Sequence, residues 1–342
     1  MTIETDASPT IVGEGGITSA VGINSDGVTL RGFRITNDGG LIGVKVNPED
    51  KSSGIGYDDV TIENNLIENL GPTEFLGVSG VVVGNGSYDN VTIENNTIQD
   101  LENEVGERSQ FNPTVNGVLF DAKGSGADEV VSNAEVTNNT IRRLTSDIAA
   151  LGIVTQQKLE DVAINNNEIS GIVVDPGTDS DDSDDSDGGE PGYAFGQGIN
   201  ITSPSTTDVA VTSNRIEEVT VRNTTDKDVT VSFGESVKVD GDASGATFRA
   251  NSFLGPVGLN NQNGADAAPT VDARNNYWGS SDGPEEADSN SDADDDDRSD
   301  VVGKVTYEPF LRNPPGGKGN GKGNGNNQGN SNGKGKGNGK GN

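Results

Sequence analysis

Carboxylates dominate the groups that could do chemistry in this chain of 342 residues: 55 Asp and Glu stand against 23 Lys and Arg, with no Cys and no His. Mechanisms that need imidazole or thiolate are thereby excluded, as are disulfides, Cys/His metal sites and histidine pH switches. What remains is carboxylate, lysine, arginine, tyrosine or metal chemistry, or none. Asp58-Asp59 is the best acidic doublet beside a strand, and Asp suits turns, so a turn role is favoured. Arg142-Arg143 stands without an evident carboxylate shell. The run from Asp175 to Pro191 carries eight acids, and a second run from Asp292 to Asp297 carries five. Oxygen-rich loops suit Ca²⁺, which makes Asp181, Asp182, Asp184 and Asp185 the candidate metal ligands. Blocks of like charge are more often solvated surface, and that reading is preferred. DGDASG from Asp240 to Gly245 has Asn251 where an EF-type loop needs a bidentate Glu. Tyr277 and Trp278 fit packing better than a sugar platform, since a lone Trp is largely buried.

A formal net charge of -32 repels phosphate, so nucleic acid and anionic membranes are poor partners. No run of 18 apolar residues spans a bilayer. Val and Ile outnumber Leu by 54 to 13, and β-branched side chains favour pleated strands. Residues 316 to 342 hold 12 Gly, 8 Asn and 5 Lys without an acid, the composition of a flexible tail. The body before it then has 18 cations against 55 acids, a charge of -37.

The elements that must position these groups come from an internal repeat. One pattern recurs: apolar, any, apolar, two any, Asn, any, apolar. It reads VTIENNLIENL from Val60, VTIENNTIQDL from Val91, AEVTNNTIRRL from Ala134 and VAINNNEISGI from Val162, with weaker copies from Val209, Ala246 and Val271. An opening copy from Val28 puts Phe33 where the others place Asn65, Asn96, Asn139, Asn167, Asn214, Asn251 and Asn276. A short strand, usually opened by Gly, precedes most copies, as at Gly43, Gly80, Gly117, Gly152, Gly198, Ser236 and Gly258. Intervals in the Asn column run 32, 31, 43, 28, 47, 37 and 25, too irregular for leucine-rich repeats or propeller blades. Coils that tolerate large loops remain. The expected fold is all-β, a single-stranded right-handed parallel β-helix of about eight coils over residues 1–312, followed by a disordered tail at 313–342. Stacked equivalents form ladders about 4.8 Å apart, and Asn amides can bond their own copies, so the column is read as a buried turn ladder. Six N-x-S/T sequons, at Asn85, Asn90, Asn95, Asn138, Asn200 and Asn223, share this reading; Asn95 and Asn138 match as repeat residues.

On these repeats the chain resembles the right-handed parallel β-helix proteins of the pectate-lyase-like superfamily, in particular secreted members from halophilic archaea. The resemblance covers about residues 11 to 312. Its most specific part is ARNNYWGSSDGP from Ala273 followed by VVGKVTYEPFL from Val301, which looks like a closing coil and cap. It implies an extracellular or cell-surface protein, although no signal peptide is visible at MTIETDASPTIV, so the chain reads as a fragment or a mis-started frame. Polygalacturonase-like members use clustered Asp beside Gly-His-Gly, and pectate lyases use Asp-held calcium with an Arg-x-Pro-x-x-Arg stretch. This sequence has neither.

Alternation in the Gly-opened strands sends Val81 and Val83 inward and the residue between them outward. Stacking makes a column of Lys45, Val82, Leu119, Val154, Asn200, Lys238 and Asn260, the candidate ligand-binding residues. Its apolar centre is read as a binding face or as the floor under an insertion such as the one holding Phe111. The expected function is non-catalytic polysaccharide binding or structural display, with a polysaccharide or cell-surface component as partner and Ca²⁺ as the candidate ion. The alternative is a polysaccharide lyase or glycoside hydrolase acting on acidic polysaccharide.

Overall fold

The structure is a computed structural model that describes residues 2–3, 9–47, 56–72, 77–84, 86–103, 114–121, 129–175, 192–222, 229–231, 234–261, 270–287 and 299–315. The chain winds as a β-solenoid. One circuit runs from Val60–Glu63 in the first sheet to Leu66–Gly71 in the second and Val78–Gly84 in the third. It then passes through Tyr88–Asp89 in a small fourth sheet and returns to the first at Val91–Glu94. Among the described residues the first three sheets have ten, nine and eleven strands, one strand of the second and one of the third lying off the main path, and the fourth has four. Adjacent circuits pair in parallel and in register, Ile93 on Ile62, Ile98 on Ile67 and Val118 on Val81.

This register stacks like on like in the interior. Ile62, Ile93, Val136, Ile164, Val211 and Phe248 form one fully buried file, and Ile67, Ile98, Ile141, Ile169, Ile216 and Phe253 another. Burial of such a side chain stabilises by roughly 1.5–3 kcal/mol, which is why the sequence repeats Ile and Val at these positions. A single apolar cluster runs from Ile23 to Val301.

Three corners of the circuit need left-handed backbone, and the sequence supplies residues that tolerate it. Before the first sheet stand Gly27, Asp59, Asn90, Asn133, Asp161 and Asp208, with φ between 50° and 63°. Inside the second sheet stand Asn69, Asp100, Arg143, Gly171 and Glu218. Between the two stand Gly32, Asn64, Asn95, Asn138, Asn166, Ser213, Ala250 and Asn275. The Asn-Asn doublet of the repeat therefore divides its labour: the first Asn turns the chain and the second enters the ladder. Gly80 and Gly117 serve differently, since a Cβ there would come within 2.5 and 2.6 Å of Ile98 and Ile141 Cγ2.

The seven Asn form an unbroken buried ladder. Each Nδ2 from Asn65 to Asn251 donates to Oδ1 of the next Asn at 2.9–3.1 Å and to a backbone carbonyl of the preceding circuit. Each Oδ1 also accepts a backbone N–H, beginning with Phe33 N on Asn65 Oδ1. At the far end Asn276 Nδ2 turns to the carbonyls of Phe248 and Ala273. Leu311 N bonds Asn276 O as Thr97 N bonds Asn65 O, so Phe310 closes the column at one end as Phe33 opens it at the other. Trp278 is fully buried, with its ring 4.9 Å from that of Phe253, which makes it a packing residue.

Candidate ligand-binding strip

Cross-strand pairing places Lys45, Val82, Leu119, Val154, Asn200, Lys238 and Asn260 in one column on the outer side of the third sheet. Val81 and Val83 lie in the core on either side of Val82, so the alternation holds. A second outer column three residues earlier contains Ser79, Asn116, Leu151, Gln197 and Glu235. Between the columns stand Gly80, Gly117, Gly152 and Gly198, where an added Cβ would come within 2.4–2.5 Å of a neighbouring atom, and Ser236 takes the same place one circuit on. Together they make a strip two side chains wide.

The strip changes chemistry along its length. Its middle is apolar: Ala149, Leu151 and Val154 are buried, with Leu119, Ile148 and Phe195 packed against them. Val82 and Val154 are only 5% and 3% exposed, so these two do not offer open surface; Lys45, Leu119, Phe195 and Lys238 remain partly accessible. Towards the C-terminal end a buried network takes over. Gln197 Nε2 donates to Glu235 Oε2 at 2.7 Å, Asn260 Nδ2 donates to Glu235 Oε1 at 2.6 Å, and Asn200 Nδ2 donates to Gln197 Oε1 at 2.7 Å. The Lys238 ammonium lies 5.9 Å from the centre of the Phe195 ring, close enough for a cation–π contact. Glu235 and Gln197 carry no repeat signal, and only the pairing of strands one circuit apart brings them together.

Other chemistry-bearing residues settle elsewhere. Asp58 and Asp59 belong to a turn ladder: Asp58 Oδ1 accepts from Asp89 N at 3.1 Å, and Asp59 Oδ1 from Asn90 Nδ2 at 2.5 Å. Arg143 does have a carboxylate, contrary to the sequence reading. Asp100 stands one circuit earlier in the same left-handed corner, and Arg143 forks onto it at 2.5 and 2.8 Å. That hydrogen-bonded guanidinium holds the Asp100 carboxyl below the ordinary range. Arg142 Nε donates to Gln99 Oε1, and Gln99 Nε2 to Glu68 Oε2, which also accepts Arg34 through Oε1.

On the first sheet Arg31 pairs with Glu63, and Glu94 stacks on Glu63. Burial, then the Glu63 charge, raises the Glu94 carboxyl above its usual value. Ser244 N closes onto Asp242 Oδ1 at 3.0 Å inside the DGDASG turn. Among the described residues no three carboxylates converge as metal ligands would. Asp181, Asp182, Asp184 and Asp185, the acids from Asp292 to Asp297, Phe111, Asn85 and Asn223 lie outside the described residues. No helix among the described residues is long and apolar enough to cross a membrane. No family model, no curated protein and no solved structure matches this chain.

Proposed function

We propose that the chain is a non-catalytic module of a right-handed β-helix of about eight coils, displayed outside the cell or on its surface in a high-salt organism. It holds an extended polysaccharide along the outer strip of the third sheet. The observation that supports this reading is the unbroken register from Lys45 to Asn260. The column spans six steps of about 4.8 Å, roughly 29 Å, and Lys45, Leu119 and Lys238 are the members spaced along it that solvent reaches, an arrangement suited to a linear polymer. Apolar and aromatic surface beside a few polar groups is the usual make-up of a ligand site, and Leu119, Phe195 and Lys238 supply it where solvent reaches. The strongly acidic surface fits a medium that screens charge. Resemblance to the pectate-lyase-like superfamily adds the expectation of a sugar polymer, while fold alone does not carry function.

A lyase or hydrolase is the second reading. Stacked Glu63 and Glu94 favour it, being paired carboxylates of which one holds its proton more tightly. They face outward on the first sheet, away from the strip. A panel of uronate-rich polysaccharides assayed at molar salt, for both retention and chain cleavage, tests the two together. Retention without unsaturated product is expected, and Leu119→Asp should abolish it with the fold intact. Unsaturated product would make the protein a lyase, and undiminished retention by the variant would move the site to another face.

A further inference from the structure

Two buried oxygen atoms beside the fourth sheet have no donor. Gln157 is fully buried, and its Nε2 donates to the carbonyls of Gly86 and Asp121, each at 3.1 Å. Its Oε1 has no hydrogen-bond partner, and neither does the buried Oε2 of Glu129. Turning the amide over gives no relief, because oxygen would then face both carbonyls and two bonds would be lost. The Tyr88 hydroxyl does not serve either, since it donates to Gly84 O at 2.5 Å. Burial, then the nearby Glu129 charge, keeps that phenol protonated well above its ordinary range.

Register brings the two residues side by side. Val130 pairs with Lys158, and Lys158 N donates to Glu129 O at 3.2 Å, so Gln157 stands opposite Glu129 on the next circuit. Tyr88 pairs with Val131, which puts Gly86 one circuit beyond Glu129 on the other side. To reach Gly86 O the Gln157 side chain must extend across the circuit of Glu129. Val131 and Leu159 pair and are both buried, so alternation turns Glu129 and Gln157 to the same inner side, next to one another on adjacent circuits. Two buried oxygens without a donor are costly in such a place unless something electropositive joins them.

We propose that Glu129 Oε2 and Gln157 Oε1 ligate one small inorganic cation between adjacent circuits. Carboxylate and amide-carbonyl oxygens are the ligands hard cations take. A single carboxylate balances a single charge, so Na⁺ or K⁺ fits better than a divalent ion. The site is separate from the ligand strip and does not depend on its function.

The test is thermal unfolding of the full chain in about 1 M chloride of Na⁺, K⁺ or tetramethylammonium, concentrations at which general screening is matched. A fourth arm adds Ca²⁺ to the tetramethylammonium solution. Na⁺ or K⁺ should raise the melting temperature about 5 °C above the bulky cation, the shift expected at roughly hundredfold saturation. Glu129→Gln should erase that difference without lowering the value in tetramethylammonium. Glu129→Asp keeps the charge but withdraws the oxygen, and should shrink the difference even if the amide variant does not fold. A rise with Ca²⁺ alone, lost in Glu129→Gln, would keep the site and change its ion. Equal melting in all four solutions would mean that water, or a proton shared between the two oxygens, fills the place and would overturn the proposal, as would a difference that survives Glu129→Gln.

Discussion

At Ala250 a methyl-bearing residue occupies left-handed backbone, φ 54°, in a corner column where Asn holds five of the eight positions. That conformation costs an ordinary L residue roughly 1–2 kcal/mol, and Asn recovers part of this by bonding locally. Ala250→Asn should therefore stabilise the fold by about 0.5–1 kcal/mol, read as a raised urea midpoint with unchanged slope. Glu94 gives a pH-dependent counterpart. Its carboxyl is raised in the folded protein by burial and by Glu63, so folding opposes its ionisation. The penalty is complete above the folded pKa and absent below the unfolded one. Glu94→Gln should accordingly melt higher than the parent at neutral pH, and the gain should fade as the pH falls through the range between those two values. A gain that persisted at pH 3 would rule out the carboxyl pair as its source.

The ladder is the element on which the stack depends. Asn139 Nδ2 bonds Ile93 O and Asn167 Oδ1, while its own Oδ1 accepts from both nitrogens of Asn96. Removing that amide strands groups on both neighbouring circuits. Asn139→Ala is expected to cost about 1–3 kcal/mol by denaturant unfolding. Much of this element was legible in the sequence, because an amide that bonds its own copy imposes the same residue at every turn, however long the loops between turns become. The outer column from Lys45 to Asn260 was legible for a related reason, strand alternation anchored on a glycine. The Arg143–Asp100 fork was not, because nothing in a list of residues says that Arg will occupy a left-handed corner normally given to Asn or Gly. Glu235 was hidden by the same physics: its partners Gln197 and Asn260 lie 38 and 25 residues away, across connections whose lengths follow no rule.

Across the whole molecule, charge opposes the apolar core. With -37 on the body, self-repulsion works against compaction until ions screen it, and the Debye length shortens to about 3 Å at 1 M salt. The melting temperature should rise steadily between 0.1 M and 2 M KCl, and a flat profile in a calorimetric series would remove repulsion as a controlling term. The Asn ladder gives this rod a further property. Peptide dipoles in the sheets alternate along each strand and nearly cancel, whereas every ladder amide from Asn65 to Asn251 sends one N–H to the next Asn, towards Asn276, and turns its oxygen to the preceding circuit. Chains of hydrogen bonds polarise one another, so these moments add. The ladder thus contributes an axial dipole, positive towards its C-terminal end, and two ladders meeting end to end would find head-to-tail alignment electrically preferred over head-to-head.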